Sequence, residues 1–115
     1  SQNEYKALNY NDKFEKAHST MVRIYGSGIP RSWLEKLWCY ELFLILGQKN
    51  GDPDFGIYDY YEMLKIKSVS QRTFTHFIGE RVAAGDLILV PSSKGTRRSY
   101  KLNDDLKEKF YNSVK

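Results

Sequence analysis

Two clusters in the C-terminal half carry side chains suited to gripping phosphates and the edges of bases. Ser70, Gln71, Arg72, Thr73, Thr75 and His76 crowd into one short run, and Lys94, Arg97 and Arg98 surround Gly95. Amides, hydroxyls and guanidinium groups read hydrogen-bonding patterns on base edges, while cations hold the backbone. The charge sits where these residues sit. From Lys65 to Lys101 there are eight basic residues and two acidic ones, a balance of +6. The whole chain carries +4, so the remainder is at −2. A basic excess confined to one third of a chain predicts a basic face. The bland alternative is a solvated helix followed by a hairpin tip kept soluble by charge.

Other chemistry finds little to work with. No His-rich metal spacing, nucleophile elbow or phosphate loop is present, and Ser93-Lys-Gly-Thr96 lacks the preceding glycine of such a loop. His18 and His76 fall in separate segments with no motif joining them. The expectation is a protein that is not an enzyme, with no catalytic residue, no metal and no cofactor. The single Cys39 excludes an internal disulfide and a cysteine-based zinc site, and its apolar neighbours point to packing.

The elements that must position the two clusters follow from caps and periodicity. Asp12 reads as the N-cap of a first helix reaching Tyr25, with Phe14, Ala17, Met21 and Ile24 on one seam. Ser32 and Glu35 read as a capping box opening a buried central helix from Trp33 to about Leu46, closed by Gly47. Phe55-Gly56-Ile57 reads as a brief strand, and Asp59 as the cap of a short helix from Tyr60 to about Ile66. After the turn Lys67-Ser68-Val69, Ser70 caps a helix from Gln71 to about Ala84, stopped by Gly85. Its inner face is Phe74, Phe77, Ile78, Val82 and the stem of Arg81; its outer face is Gln71, Arg72, Thr75, His76 and Gly79, with Thr73 near the edge. The period then changes to two. Leu87 to Pro91 and Ser99 to Leu102 predict a β-hairpin cored by Leu87, Leu89, Tyr100 and Leu102, with Ser92 to Arg98 as a basic tip. Asn103 or Asp104 caps a last helix bearing Leu106, Phe110 and Val114.

This order of helices, turn, helix, hairpin and helix is that of a winged helix-turn-helix. Its length of 115 residues fits one domain, 1–115, mainly α with a small β-hairpin. The segments 12–25 and 104–114 are candidate dimerisation helices, since neither completes the winged core. The longest apolar stretch, Leu42 to Leu46, is far below the roughly 20 residues of a membrane span. No basic-then-apolar leader opens the sequence, so a cytoplasmic chain without membrane association is expected.

Ser70-Gln-Arg-Thr73, Arg81-Val82, Ala84-Gly85-Asp86-Leu87-Ile88, Gly95-Thr-Arg-Arg98 and Tyr100-Lys-Leu102-Asn103 together resemble the MarR-type winged helix. The resemblance is loose and extends back to Ser32, over about 70 residues. It implies a transcriptional regulator that binds double-stranded DNA as a homodimer, with a recognition helix in the major groove and a wing arginine, Arg97 or Arg98, at the minor groove. The sequence departs from the family in two places. Gly95 or Thr96 replaces the wing aspartate ahead of the arginine, removing the acidic half of a wing ion pair. The helix after Asn103 is short for the family's helical dimer lobe and the ligand pocket beneath it, so no small-molecule effector is assigned. Two other uses of the same elements stand beside this one. One is a winged-helix protein-interaction module; the other is a replication or plasmid-maintenance initiator.

Overall fold

The computed structural model describes residues 2–93, 95 and 97–114. Its helices and strands run α1 (Gln2–Tyr25), a single 3₁₀ turn (Arg31–Trp33), α2 (Leu37–Lys49), α3 (Ile57–Met63), α4 (Gln71–Ala83), β1 (Leu87–Pro91), β2 (Arg98–Leu102) and α5 (Asp104–Ser113). This is the expected class, mainly helical with one antiparallel hairpin. None of the helices among the described residues is long and apolar enough to cross a membrane.

The central helix is buried because its apolar residues point several ways. Trp38, Cys39, Leu42, Phe43 and Leu46 of α2 are all buried, and burying so many large side chains drives the fold. Aromatic edges organise the centre. Trp33 meets Phe43 and Phe77 at ring distances of 5.6 and 5.2 Å, Trp38 meets Phe77 at 5.1 Å, and Tyr61 meets Phe74 at 5.2 Å. These edge-to-face contacts add specificity to the burial itself. They hold the inner face of α4 against α2 and α3.

The boundaries of the central helix differ from the expectation. Ser32 and Glu35 form no capping box, because Arg31–Trp33 is a 3₁₀ turn and α2 begins only at Leu37, with Lys36 as an N-cap lacking a side-chain cap bond. A longer-range bond claims this segment: Trp33 Nε1 donates to Asp86 Oδ2 at 3.0 Å inside the core. At the other end α2 runs through Gly47 to Lys49 and stops where Asn50 and Gly51 adopt φ of 49° and 78°. That left-handed pair reverses the chain.

Two further corrections concern residues 55–63. Phe55-Gly56-Ile57 is no strand; it enters α3, with Gly56 as the N-cap. Asp59 is therefore three residues inside the helix, and its Oδ2 accepts the Gly56 N–H at 2.7 Å. The cap bond occupies backbone that a strand would have used. The helix ends at Met63 rather than near Ile66.

Helix α1 begins ten residues before the expected cap. Asp12 lies within it and pairs with Lys16 at 3.0 Å. Only its last turns touch the body, where Ile24 is buried and Arg23 Nε donates to the Ser113 carbonyl at 3.0 Å. The radius of gyration is 17.0 Å and the longest dimension 63 Å, whereas a compact domain of this size has a radius of about 13 Å. The excess is α1, standing off the core.

Cys39 sits in the first turn of α2, where a helix N-terminus would ordinarily favour a thiolate. Burial wins. Its desolvation pushes the thiol up to about 11, against the lowering influence of Lys36 and Arg81. At pH 8 the thiolate population is then about two orders of magnitude below that of a free cysteine. We expect the native protein to resist a disulfide reagent such as dithiobis(nitrobenzoate) and to react fully once denatured. Rapid native labelling would show a thiol poised for chemistry.

Candidate nucleic-acid interface

Ser70 is the N-cap of α4, as expected: its Oγ accepts the Thr73 N–H at 3.2 Å and donates to Thr73 Oγ1 at 3.0 Å. Gly85 ends the helix with φ of 86°. The Gly85 N–H bonds the Val82 carbonyl and the Asp86 N–H the Arg81 carbonyl, each at 3.0 Å. This is a Schellman motif, and it turns the chain straight into β1.

The turn ahead of α4 is pinned from two sides. The Glu41 carboxylate, reaching over from α2, accepts the N–H groups of Lys65 and Ile66 at 2.9–3.1 Å. Tyr61 Oη donates to the Val69 carbonyl at 2.9 Å. A helix so tethered presents a fixed face. Phe74 and Ile78 are buried and Phe77 and Val82 half-buried, while Gln71, Arg72, Thr73, Thr75, His76 and Gly79 are exposed. Arg81 is more than a stem, as shown below.

Not every exposed hydroxyl is free to donate. Ser70 has given its proton to Thr73, and Thr75 Oγ1 donates to the Gln71 carbonyl at 2.9 Å. Each keeps lone pairs only. The donors left on this face are the Gln71 amide, the Arg72 guanidinium, the Thr73 hydroxyl and the His76 ring. His76 Nε2 lies 3.3 Å from Glu80 Oε1, one turn on. An open groove of about 810 Å³ runs along the face, lined by Gln71, Arg72, Thr73, Thr75, His76 and Tyr58. Tyr58 was not anticipated. It lies in the first turn of α3, a turn the sequence reading left outside the helix, and it is exposed.

The wing carries the second cluster. Leu87 pairs with Leu102, Leu89 with Tyr100, Val90 with Ser99 and Pro91 with Arg98. Leu87 and Leu102 are buried as expected, but Leu89 is 46% exposed and Ser99 is fully buried. Of the second inward pair only Tyr100 packs against the core, half-buried, while Leu89 on β1 stays exposed. Arg97 and Arg98 are exposed, and among the described residues no acidic side chain pairs with either, or with Arg72. Lys94 lies outside the described residues.

Helix and wing meet at one buried carboxylate. Asp86 Oδ2 accepts both Trp33 Nε1 and, at 2.9 Å, Arg81 Nη1. The Asp86 carbonyl accepts the Asn103 N–H at 2.9 Å, and Asn103 Nδ2 donates to the Gly85 carbonyl at 2.8 Å. Asn103 Oδ1 also caps α5 by accepting the Leu106 N–H, which settles the choice between Asn103 and Asp104.

No family model and no curated protein matches the sequence. The fold is similar to the crystal structure of a multiple antibiotic-resistance repressor (MarR) from Listeria monocytogenes 4b F2365, with a TM-score of 0.58 and 11% sequence identity. The match covers 98% of this chain and 69% of that one. The element order, the tethered fourth helix and the hairpin that follows it agree with that likeness: the chain has the MarR-type winged-helix fold.

Proposed function

We propose that this protein binds double-stranded DNA as a transcriptional regulator, reading base edges with α4 in the major groove and holding the backbone or minor groove with the wing. The observation that carries the reading is the pairing of two exposed surfaces on one rigid frame. Arg72 and its polar neighbours lie on α4, Arg97 and Arg98 on the wing, and none of these three arginines is neutralised by a described acid. An α-helix fits the major groove, and its first turns meet base edges there. The Gln71 and Arg72 amides add unpaired donors at the positive helix end. Ser70 and Thr75 contribute as acceptors, Thr73 as a donor, and Lys94 completes the basic tip. The reading requires neither catalysis nor a cofactor.

The partner in this reading is a second copy of the chain. Phe14 is 72% and Met21 64% exposed on α1, whereas most of the α5 stripe is taken up at home: Leu106 is buried and Phe110 meets Phe43 at 5.8 Å, leaving Val114 exposed at its end. The unpaired apolar surface is therefore mainly on α1.

A gel mobility-shift comparison tests the DNA reading. Arg97→Ala with Arg98→Ala should weaken binding to every duplex by about tenfold or more, with a larger loss on A·T-rich flanks if an arginine enters a narrow minor groove. Thermal stability should not change, since both side chains are exposed. Equal binding by parent and double variant would leave the tip as a solubilising turn.

A further inference from the structure

We infer that the loop Asn50–Asp54 is a strap that positions the wing tip, acting through the hydroxyls of Ser93 and Ser99. A two-stranded hairpin is marginal by itself, and this wing has only β1 and β2. The loop supplies the missing support on both sides of the tip. Ser99, fully buried, donates its hydroxyl to the Asp52 carbonyl at 2.7 Å. Just past the end of β1 the Ser92 hydroxyl and the Ser93 N–H both donate to the Pro53 carbonyl, at 3.1 and 3.0 Å. Ser93 Oγ lies 3.2 Å from that carbonyl and 2.7 Å from Asp54 Oδ1. Its one proton goes to the carboxylate, because a bond to an ionised acceptor is shorter and stronger.

The strap is anchored to α5 at its first residue and braced within itself. Asn50 Oδ1 accepts Lys107 Nζ of α5 at 2.7 Å, and inside the loop the Asp54 N–H donates to Asp52 Oδ1 at 2.9 Å. At Gly51 a Cβ would stand 3.2 Å from Lys101 Cβ, so the loop passes close against β2. The tip arginines thus sit between two tethers to a loop that leads directly into α3. A tip held in place loses less freedom on binding. The inference rests on the DNA-binding reading for its consequence and on geometry alone for the tether.

The test uses Ser93→Ala with Ser99→Ala in the full chain, alone and combined with Arg97→Ala and Arg98→Ala, and reads two quantities. Without DNA, amide hydrogen exchange at Ser93 and Ser99 should rise at least about tenfold while α2 and α4 stay protected. With duplex DNA, affinity should fall about tenfold when the arginines are present and less than about twofold when they are absent. Ser93→Thr, which keeps the hydroxyl, should behave as the parent. If Ser99→Ala prevents folding, the exposed Ser93→Ala variant carries both readouts with smaller shifts. Unchanged exchange overturns the strap. Faster exchange with losses that simply add to those of the arginines overturns its positioning role, leaving a purely structural contact. A parent protein that does not bind duplex DNA refutes the DNA reading, and the positioning role with it; the exchange measurement then decides whether the tether exists.

Discussion

Asp86→Ala should cost about 3–5 kcal/mol of folding stability, the usual price of stripping one partner from a buried ion pair. The carboxylate and Arg81 are only 11% and 16% exposed, and their contact is 2.9 Å. Removing the acid strands a buried guanidinium whose Nε already lacks a partner among the described residues. It also orphans Trp33 Nε1. For a domain of this size the loss corresponds to a fall in Tm of about 10–20 °C. Asp86→Asn should cost less, because the amide oxygen still accepts from Trp33 while the charge is lost. Arg81→Met in the Asp86→Ala background should recover part of the stability, since no unpaired charge then remains inside. Thermal unfolding of these four proteins and of Arg81→Met alone decides it. Strictly additive losses would mean that Asp86 and Arg81 do not act as a pair.

That junction also explains why the sequence reading succeeded in some places and failed in others. Local chemistry announced α4, because Ser70, the inner stripe from Phe74 to Val82 and Gly85 all agree on one helix. Asn103 was legible for the same reason. The Ser32–Glu35 pattern is equally good as a local signal, yet Trp33 answers to Asp86, 53 residues later. A capping motif worth about 1 kcal/mol yields to a buried indole with its hydrogen bond. Ala7 and Tyr10 continue the three–four spacing of Phe14, Ala17, Met21 and Ile24 into the first part of α1, but the local cap signal of Asp12 competes with that period and places the start ten residues late. In the wing, strict alternation placed Leu89 inside. It could not show that of the facing pair Leu89 and Tyr100 only the tyrosine reaches the core, nor that Ser99 is buried because a loop carbonyl from Asp52 waits for its hydroxyl. Of the candidate interface, the α4 face was readable from residue types and spacing. Tyr58 and the tethers from Ser92, Ser93 and Ser99 depend on which loop reaches the hairpin, and no local pattern encodes that.

Salt should separate the dimeric from the monomeric form of the DNA reading by orders of magnitude. Arg72, Arg97, Arg98 and Lys94 offer three to four phosphate contacts per subunit, so a two-fold dimer neutralises about seven. Counterion release then gives a log–log slope near −6, a loss of roughly three to four orders of magnitude between 50 and 200 mM salt. A monomer would show about half that slope and lose under two orders. The surface that decides between them is α1, a helix about 36 Å long by its rise and held to the body only near its C-terminal end. Its apolar Phe14 and Met21 are too exposed to serve the single chain, and a helix of polar flanks gains little from standing free in water. In the proposed dimer, pairing two such helices across a two-fold axis would bury both seams, and reading successive half-sites would require two copies of α4 about 34 Å apart, one turn of DNA. Phe14→Glu with Met21→Glu should therefore leave the fold intact, halve the mass in sedimentation equilibrium at micromolar concentration and halve the salt slope. The variant should also lose its preference for a palindromic duplex over a single half-site. A parent chain that sediments as a folded monomer, with a slope near −3, would falsify the dimer and leave α1 to some other surface.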